Sequence, residues 1–471
     1  MKIKLPVFFV LFLMILASVS AKPVDETTAR TVAARFFAMK YHRALETLTP
    51  TIAYAASSLR VENSAGPSFY VVNFSTEGFV IVSGDDRVQP ILAFSDEGPF
   101  VTENMPDHIR FFLDGYSEEI QYVVDNQQYV DESAQQQWAN LLSEDTPDPK
   151  DGNVVVGPLL GDNKWNQTKY YNDLCPADAS GNSAYGGHVA VGCGAIVMGQ
   201  VMRYWQFPTT GEGSHSYNSS YGTLSANFGA TTYHYESMPD RLTVVHHEDS
   251  CVEAIATLLY HCGVSVNMNY GPDASVCNSN NIVSALSTYF RYPTTVRYIE
   301  RGNLSLSVWL NYLKGELDEG APFMYGGSGN YGGHVWTCDG YQDDDYFHFN
   351  WGWGGQQNGY FTLTSCSSYG FNSNHAIIIG IRGPELPSAV GEQGGGKVEI
   401  FPNPTNGSVC VRAESQPVSE VQVFDMFGRM LFHKNVDEQE FSIDLSGYNS
   451  GTYILRLFSK TGVETRKIVK I

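Results

Sequence analysis

Cys193 stands between Gly192 and Gly194 in GGHVAVGCGAIVMGQVMRYWQFP, residues 186–208, directly ahead of a run with helical periodicity. Val197, Val201, Tyr204 and Trp205 fall at the i, i+4, i+7, i+8 spacing of one apolar helix face. A thiol at a helix N-terminus lies beside unpaired backbone N–H groups and the positive end of the helix dipole, and both favour thiolate. Glycines on either side let another backbone, such as a bound peptide, approach closely. Taken alone, this describes a buried helix-cap cysteine better than it describes a nucleophile for acyl transfer. Its partners decide.

A thiolate nucleophile needs a base, usually histidine, and the base needs a third group to hold its tautomer. The chain has two copies of GGHV, at 186–189 and 332–335. His188 leads into the same helix start as Cys193 and is badly placed to face the sulfur from an opposite wall. His334 comes from a distant predicted strand, HVWTCDG, where His334, Trp336 and Cys338 share one face and Val335 and Thr337 the other. Asn350, in FNWGWGG, offers a side-chain carbonyl to one imidazole nitrogen, with Trp351 and Trp353 as a cover against water. Gln167, in KWNQ, supplies an amide donor for an oxyanion, beside the Cys193 backbone N–H, if the segment before the helix folds back. Singly, these are a core histidine, a turn residue and a polar loop residue. Together they complete one reaction.

A zinc reading of His334, Cys338 and nearby His348 fares worse. The chain offers no CxxC or HxxxH pair here, and i, i+4 spacing gathers ligands on a helix, whereas this segment reads as strand. No metal and no cofactor are expected.

The elements that must position these groups fall in a central region, 153–382, with predicted helices at 193–206, 251–263 and near 306–318 and aromatic-rich strands after them. Helices first and antiparallel strands afterwards is an α+β pattern. Before it, 22–152 reads as a separate α/β domain. A helix carrying Val32, Phe36 and Met39 is capped by Thr27 or Thr28, two strands meet at Glu77-Gly78, and a second helix starts with Pro106 as its first residue. The acidic, proline-containing stretch 143–153 is a linker and a site for proteolysis. A second linker, 383–396, precedes short-strand material at 397–471 that reads as a small β-sandwich.

The chain has 471 residues, room for about three domains. Its net charge of −21 argues against nucleic acid or an anionic membrane as partner. Residues 1–21, with Lys2 and Lys4, an apolar run from Leu5 to Ala17 and small residues at Val19-Ser20-Ala21, have the form of a secretory signal peptide. Eight cysteines in an exported protein suggest disulfides. Yet a free nucleophile leaves an odd number, and Cys251 and Cys262, on one predicted helix, lie about 16 Å apart. Mostly buried, unpaired cysteines are expected.

LLGDNKWNQTKYYNDLCP, GHVAVGCGAIVMGQVMRYWQFP, GGHVWTCDGYQ and FHFNWGWGG resemble the streptopain family of papain-fold cysteine proteases, over essentially all of 155–382. FVIVSGDDRVQPILAFSD is similar to that family's inhibitory prodomain. FPNPTNG, VFDMFGRMLF, SGTYILRL and the basic end KIVKI resemble the C-terminal sorting domain of type IX secretion, a combination that looks like proteases of the interpain type. The resemblance implies a papain-like domain between a prodomain and a sorting domain. It assigns Cys193 as nucleophile, His334 as base, Gln167 to the oxyanion, Asn350 as histidine orienter and Trp351 and Trp353 as aromatic cover. Gly333 matches a cleft-lining residue and Ser275, in NYGPDASV, a substrate-contacting loop. Protein or peptide substrates with a hydrophobic residue two positions before the cut, the chain's own prodomain as inhibitor, and the secretion machinery are the implied partners. Gly194 and Cys338 depart from the family pattern, which has GCVATAMAQ where this chain has GCGAIVMGQ. The reading is a secreted or surface-exposed cysteine endopeptidase made as a zymogen; the alternative is a catalytically inactive surface binding module on the same fold.

Overall fold

A computed structural model describes residues 22–470 apart from 58–65, 104, 127–131, 144–153, 182, 273, 330–331, 343–344, 365–373, 384–397, 414–416, 426–429, 450 and 460–461. The expected signal peptide, and all but the first residue of each expected linker, lie outside the described residues.

The amino-terminal region begins with α1 (Glu26–Lys40), capped by Asp25, whose carboxylate accepts from the Thr28 N–H at 2.7 Å. Thr27 and Thr28, the expected caps, sit inside the first turn. The Asp25 side chain brings both the acceptor and a negative charge to the positive helix end. Strands β1 (Pro50–Ala55), β2 (Phe69–Phe74), β3 (Phe79–Ser83) and β4 (Ile91–Ser95) pair antiparallel in sequence order. Every side chain of β3 and β4 is buried, because both faces of this sheet are covered. α1 packs on Val72, Val80 and Val82, whereas α2 (Asp107–Asp125) packs on Val71, Phe79 and Ile81. Pro106 is the N-cap of α2 rather than its first helical residue. A third helix, α3 (Glu132–Leu142), was not anticipated; Trp138 and Leu141 bury it in the α1 cluster.

The central region contributes β5 (Val154–Val156), α4 (Cys193–Trp205), a hairpin of β6 (His215–Ser219) and β7 (Gly222–Ala226), α5 (Asp249–Ser265) and α6 (Ser279–Tyr289). It continues with β8 (Arg297–Glu300), α7 (Leu306–Asp318), β9 (Phe323–Gly329), β10 (Gly332–Gln342), β11 (Tyr346–Asn350), β12 (Gly359–Thr362) and β13 (His375–Ile379). α4, α5 and α7 are the predicted helices, and helices before strands gives the expected α+β class. The two regions share one sheet, in the order β1-β2-β3-β4-β12-β11-β10-β9-β13-β8, with β5 on β10. The seam is β4 on β12, Phe94 opposite Tyr360 and Ala93 opposite Phe361. Tyr116 of α2 straddles it, donating from its hydroxyl to Leu92 O at 3.0 Å and Thr362 O at 2.7 Å.

The carboxy-terminal region has β14 (Val398–Phe401), β15 (Ser408–Ala413), β16 (Val418–Asp425), β17 (Met430–Glu438), β18 (Glu440–Asp444), β19 (Gly451–Ser459) and β20 (Gly462–Lys470). A three-stranded sheet, β14-β15-β18, and a four-stranded sheet, β17-β16-β19-β20, enclose Val409, Val411, Val421, Val423, Ile443 and Leu455. This is the expected β-sandwich. The seven described cysteines are free; Cys175, Cys262 and Cys338 are buried. Among the described residues no helix is long and apolar enough to cross a membrane.

Candidate active site

Cys193 is the first residue of α4, and the N-cap, Gly192, has φ of 92°. A Cβ on Gly192 would lie 2.8 Å from the Met268 sulfur and 3.0 Å from Ser275 O, so conformation and space both demand glycine. Gly194 is filled from the other side, where a Cβ would meet Cys277 Sγ at 2.5 Å. The departure from the family pattern at 194 is thereby matched by a sulfur packed against it. Burial raises the Cys193 thiol above its ordinary value, although the backbone N–H groups of Val335, Gly194 and Cys193 itself favour thiolate.

β10 alternates its side chains between the two sides of the sheet. Val335 packs into the core cluster of α4, and Thr337 donates from its hydroxyl to Gln200 Oε1 on α4 at 2.8 Å. Trp336 and Cys338 belong to the cluster on the other side, with α2. The His334 ring lies 5.8 Å from the ring of His108 and 6.5 Å from that of Phe111, both on α2. It also lines a cavity with Gly333, Ser279, Met324, Asn374 and Ile378.

Gln167 is buried, and its backbone carbonyl accepts from the Val191 N–H at 3.1 Å, which sets the KWNQ segment beside the chain that leads into Cys193. Ser275 is buried and donates to Ala190 O at 2.7 Å, bracing that same approach. Gly333 is exposed at the cavity. Asn350 spends its side-chain oxygen on Gln200 Nε2, at 3.0 Å, and the Gly352 N–H, at 3.1 Å, while its own amide donates to Asn163 O at 2.7 Å. Trp351 and Trp353 surround His108, with ring centroids at 5.4 and 6.1 Å. His188 is held elsewhere, its Nδ1 2.7 Å from Cys175 O. Among the described residues no cluster of three or more histidine, cysteine or carboxylate side chains is arranged to hold a metal.

Sequence reasoning missed His108, Gln200 and a charged network. His108 is buried between Trp336, Trp351, Trp353 and His334, and its Nε2 has no hydrogen-bond partner among the described residues. Burial, reinforced by the His334 charge and opposed by a Trp351 backbone hydrogen bond, brings its pKa down to about 3. At the rim, Glu97, just past β4, meets Lys164 at 3.0 Å and His348 Nε2 at 3.3 Å, while His348 Nδ1 lies 2.6 Å from Asp339. Burial raises Glu97, but His348 and Lys164 outweigh it and bring it down to about 2. Burial lowers His348, but Asp339 and Glu97 outweigh it and bring it up to about 9. Gln200 left one readable signal, a lone amide two turns from Cys193 on the same helix face.

Residues 165–361 match the Peptidase C10 family, 21–120 the Spi protease inhibitor and 399–471 the secretion system C-terminal sorting domain. Streptopain of Streptococcus pyogenes serotype M1 is 32% identical over 341 residues, 68% of this chain and 81% of streptopain. The chain belongs to the peptidase C10 family. It is by class a cysteine-type peptidase. A thiol protease/hemagglutinin of Porphyromonas gingivalis, PrtT, is 31% identical over 417 residues; the match takes in 84% of this C10 chain but only 45% of that longer protein. Among solved structures, a Prevotella intermedia prointerpain A fragment aligns with a TM-score of 0.56 and 27% identity, over 71% of this chain and all of that one. The inhibitor-like region and the peptidase region are thus also found together in a relative of the same fold.

Proposed function

We propose that the protein is a secreted cysteine endopeptidase held as a zymogen, with Cys193 as nucleophile and His334 as base. The observation that carries this reading is the Cys193 thiol, seated at the start of α4 against the N–H of Val335, the residue that follows His334. In the active form the His334 imidazole takes the thiol proton. The Cys193 sulfur then attacks the peptide carbonyl, and the oxyanion is met by the Cys193 N–H and the Gln167 amide. His334 protonates the leaving amine and then activates water to hydrolyse the thioester. The cavity beside His334, lined by Met324, Val335 and Ile378 together with Ser279 and Asn374, would receive a substrate side chain.

Residues 22–152 act as the inhibitor. His108 and Phe111 of α2 pack beside the His334 ring, so α2 covers the base until it leaves. Cleavage within the linker ending at 153 starts activation, and the β-sandwich directs export through type IX secretion to the surface or medium. The test is a Cys193→Ala precursor. It is expected neither to process itself nor to cleave casein, while the activated native chain is alkylated by iodoacetamide at Cys193. Self-processing by the Cys193→Ala chain ends the proposal.

A further inference from the structure

Cys193, His334, Gln167 and Asn350 come from four separate segments, and one side chain outside that set touches the framework of all of them. Gln200 is fully buried on α4. Its Oε1 accepts from Thr337 Oγ1 of β10 at 2.8 Å. Its Nε2 donates to Asn350 Oδ1 of β11 at 3.0 Å and to Asn163 Oδ1 at 3.2 Å, in the segment that leads to Gln167. Gln200 shares a helix with Cys193 at i+7, two turns on, and so faces the same way. Thr337 shares a strand with His334, and Thr337 and Asn350 are register partners.

We infer that Gln200 is a positioning residue for the Cys193–His334 reaction, fixing α4 along β10 and holding Asn350 and the Gln167 segment in the same register. Helix and strand have different repeats, so apolar packing alone leaves their relative slide weakly specified. Two directional hydrogen bonds at one point remove that freedom. The point lies close to the chemistry, since Val335, two residues before Thr337, is the residue whose N–H acts on the Cys193 thiol. Asn350, with both lone pairs of its oxygen taken, serves as a member of this brace. Removing the Gln200 side chain would take the Oε1 acceptor from the buried Thr337 hydroxyl, while Asn350 Oδ1 keeps the Gly352 N–H and Asn163 Oδ1 the Trp165 N–H.

This inference rests on the assignment of Cys193 as nucleophile, and its test reads the thiolate separately from turnover. Native, Gln200→Met and Thr337→Val chains would be activated by prodomain removal, then assayed for peptide hydrolysis and for iodoacetamide alkylation of Cys193 across pH. Misplacement by a fraction of an ångström is expected to lower kcat about tenfold or more with KM changed less than about twofold. The alkylation midpoint should rise by about one pH unit in both variants, and the double variant should add little to either single one. Thr337→Val keeps the shape of a β-strand side chain and covers the case in which Gln200→Met fails to fold. Unchanged kcat and unchanged alkylation midpoints, with only a lower melting temperature, would overturn the inference. Shifted alkylation in the variants of a chain with no peptidase activity would leave it standing and remove the proposed function instead.

Discussion

The imidazole rings of His108 and His334 lie 5.8 Å apart, centroid to centroid, the first on α2 of the amino-terminal region and the second at the start of β10. His108 is buried there among three tryptophans, and among the described residues no carboxylate acts on it. Docking of α2 therefore favours a neutral His108.

Acid should loosen the amino-terminal region. His108 titrates at about 3 when docked and near its ordinary value of about 6.5 when α2 is free. Above pH ~6.5 neither state binds the proton, and docking is independent of it. As pH falls from ~6.5 towards ~3, only the undocked state is protonated, so docking weakens by up to about tenfold per pH unit. Retention of the nicked amino-terminal fragment on a Cys193→Ala chain, followed by size-exclusion chromatography, should fall over that window. His108→Leu should flatten the dependence.

Glu97→Gln should weaken docking by about 1–3 kcal/mol, since Lys164 and His348 both lose a charged acceptor. The native pair holds Glu97 down to about 2. Its contribution is present above the ordinary glutamate value and is lost as pH falls from ~4.5 towards ~2. Native and Glu97→Gln chains should then differ in fragment retention at pH 6 and converge in strong acid.

Phe112 packs its ring against Trp336, Phe349, Trp351 and Phe361 of the peptidase region. Phe112→Ala removes that contact and should cost about 3–5 kcal/mol. Precursor processing should quicken, with no change in kcat once α2 has gone.

Gly194→Ala places a Cβ 2.5 Å from Cys277 Sγ. It should destabilise the peptidase region by about 1–3 kcal/mol, more than the helix-propensity gain of about 1 kcal/mol returns. Combining it with Cys277→Ala should recover most of the melting temperature, whereas an unrelated cause at 194 would make the two effects additive.

The sequence by itself determined α4, β10 and the residue types from which the proposed site is drawn. Helical periodicity after Cys193 and strict alternation around His334 are local properties of backbone geometry, so α4, β10 and the face shared by His334, Trp336 and Cys338 were readable in one dimension. The ends were less so: Asp25 displaced the threonines as cap because a cap depends on which oxygen reaches a given N–H. α3 carries too few apolar residues to announce itself before Trp138 meets α1. Tertiary structure alone decided which side of β10 each partner takes. Pairing β4 with β12 carries α2 across the peptidase strands, and that places His108 against His334. The same packing lets Gln200, an unremarked amide in a mostly apolar helix, meet Thr337, Asn350 and Asn163. Non-local strand pairing leaves no periodic trace in the chain, because its hydrogen bonds are made by backbone groups that every sequence has.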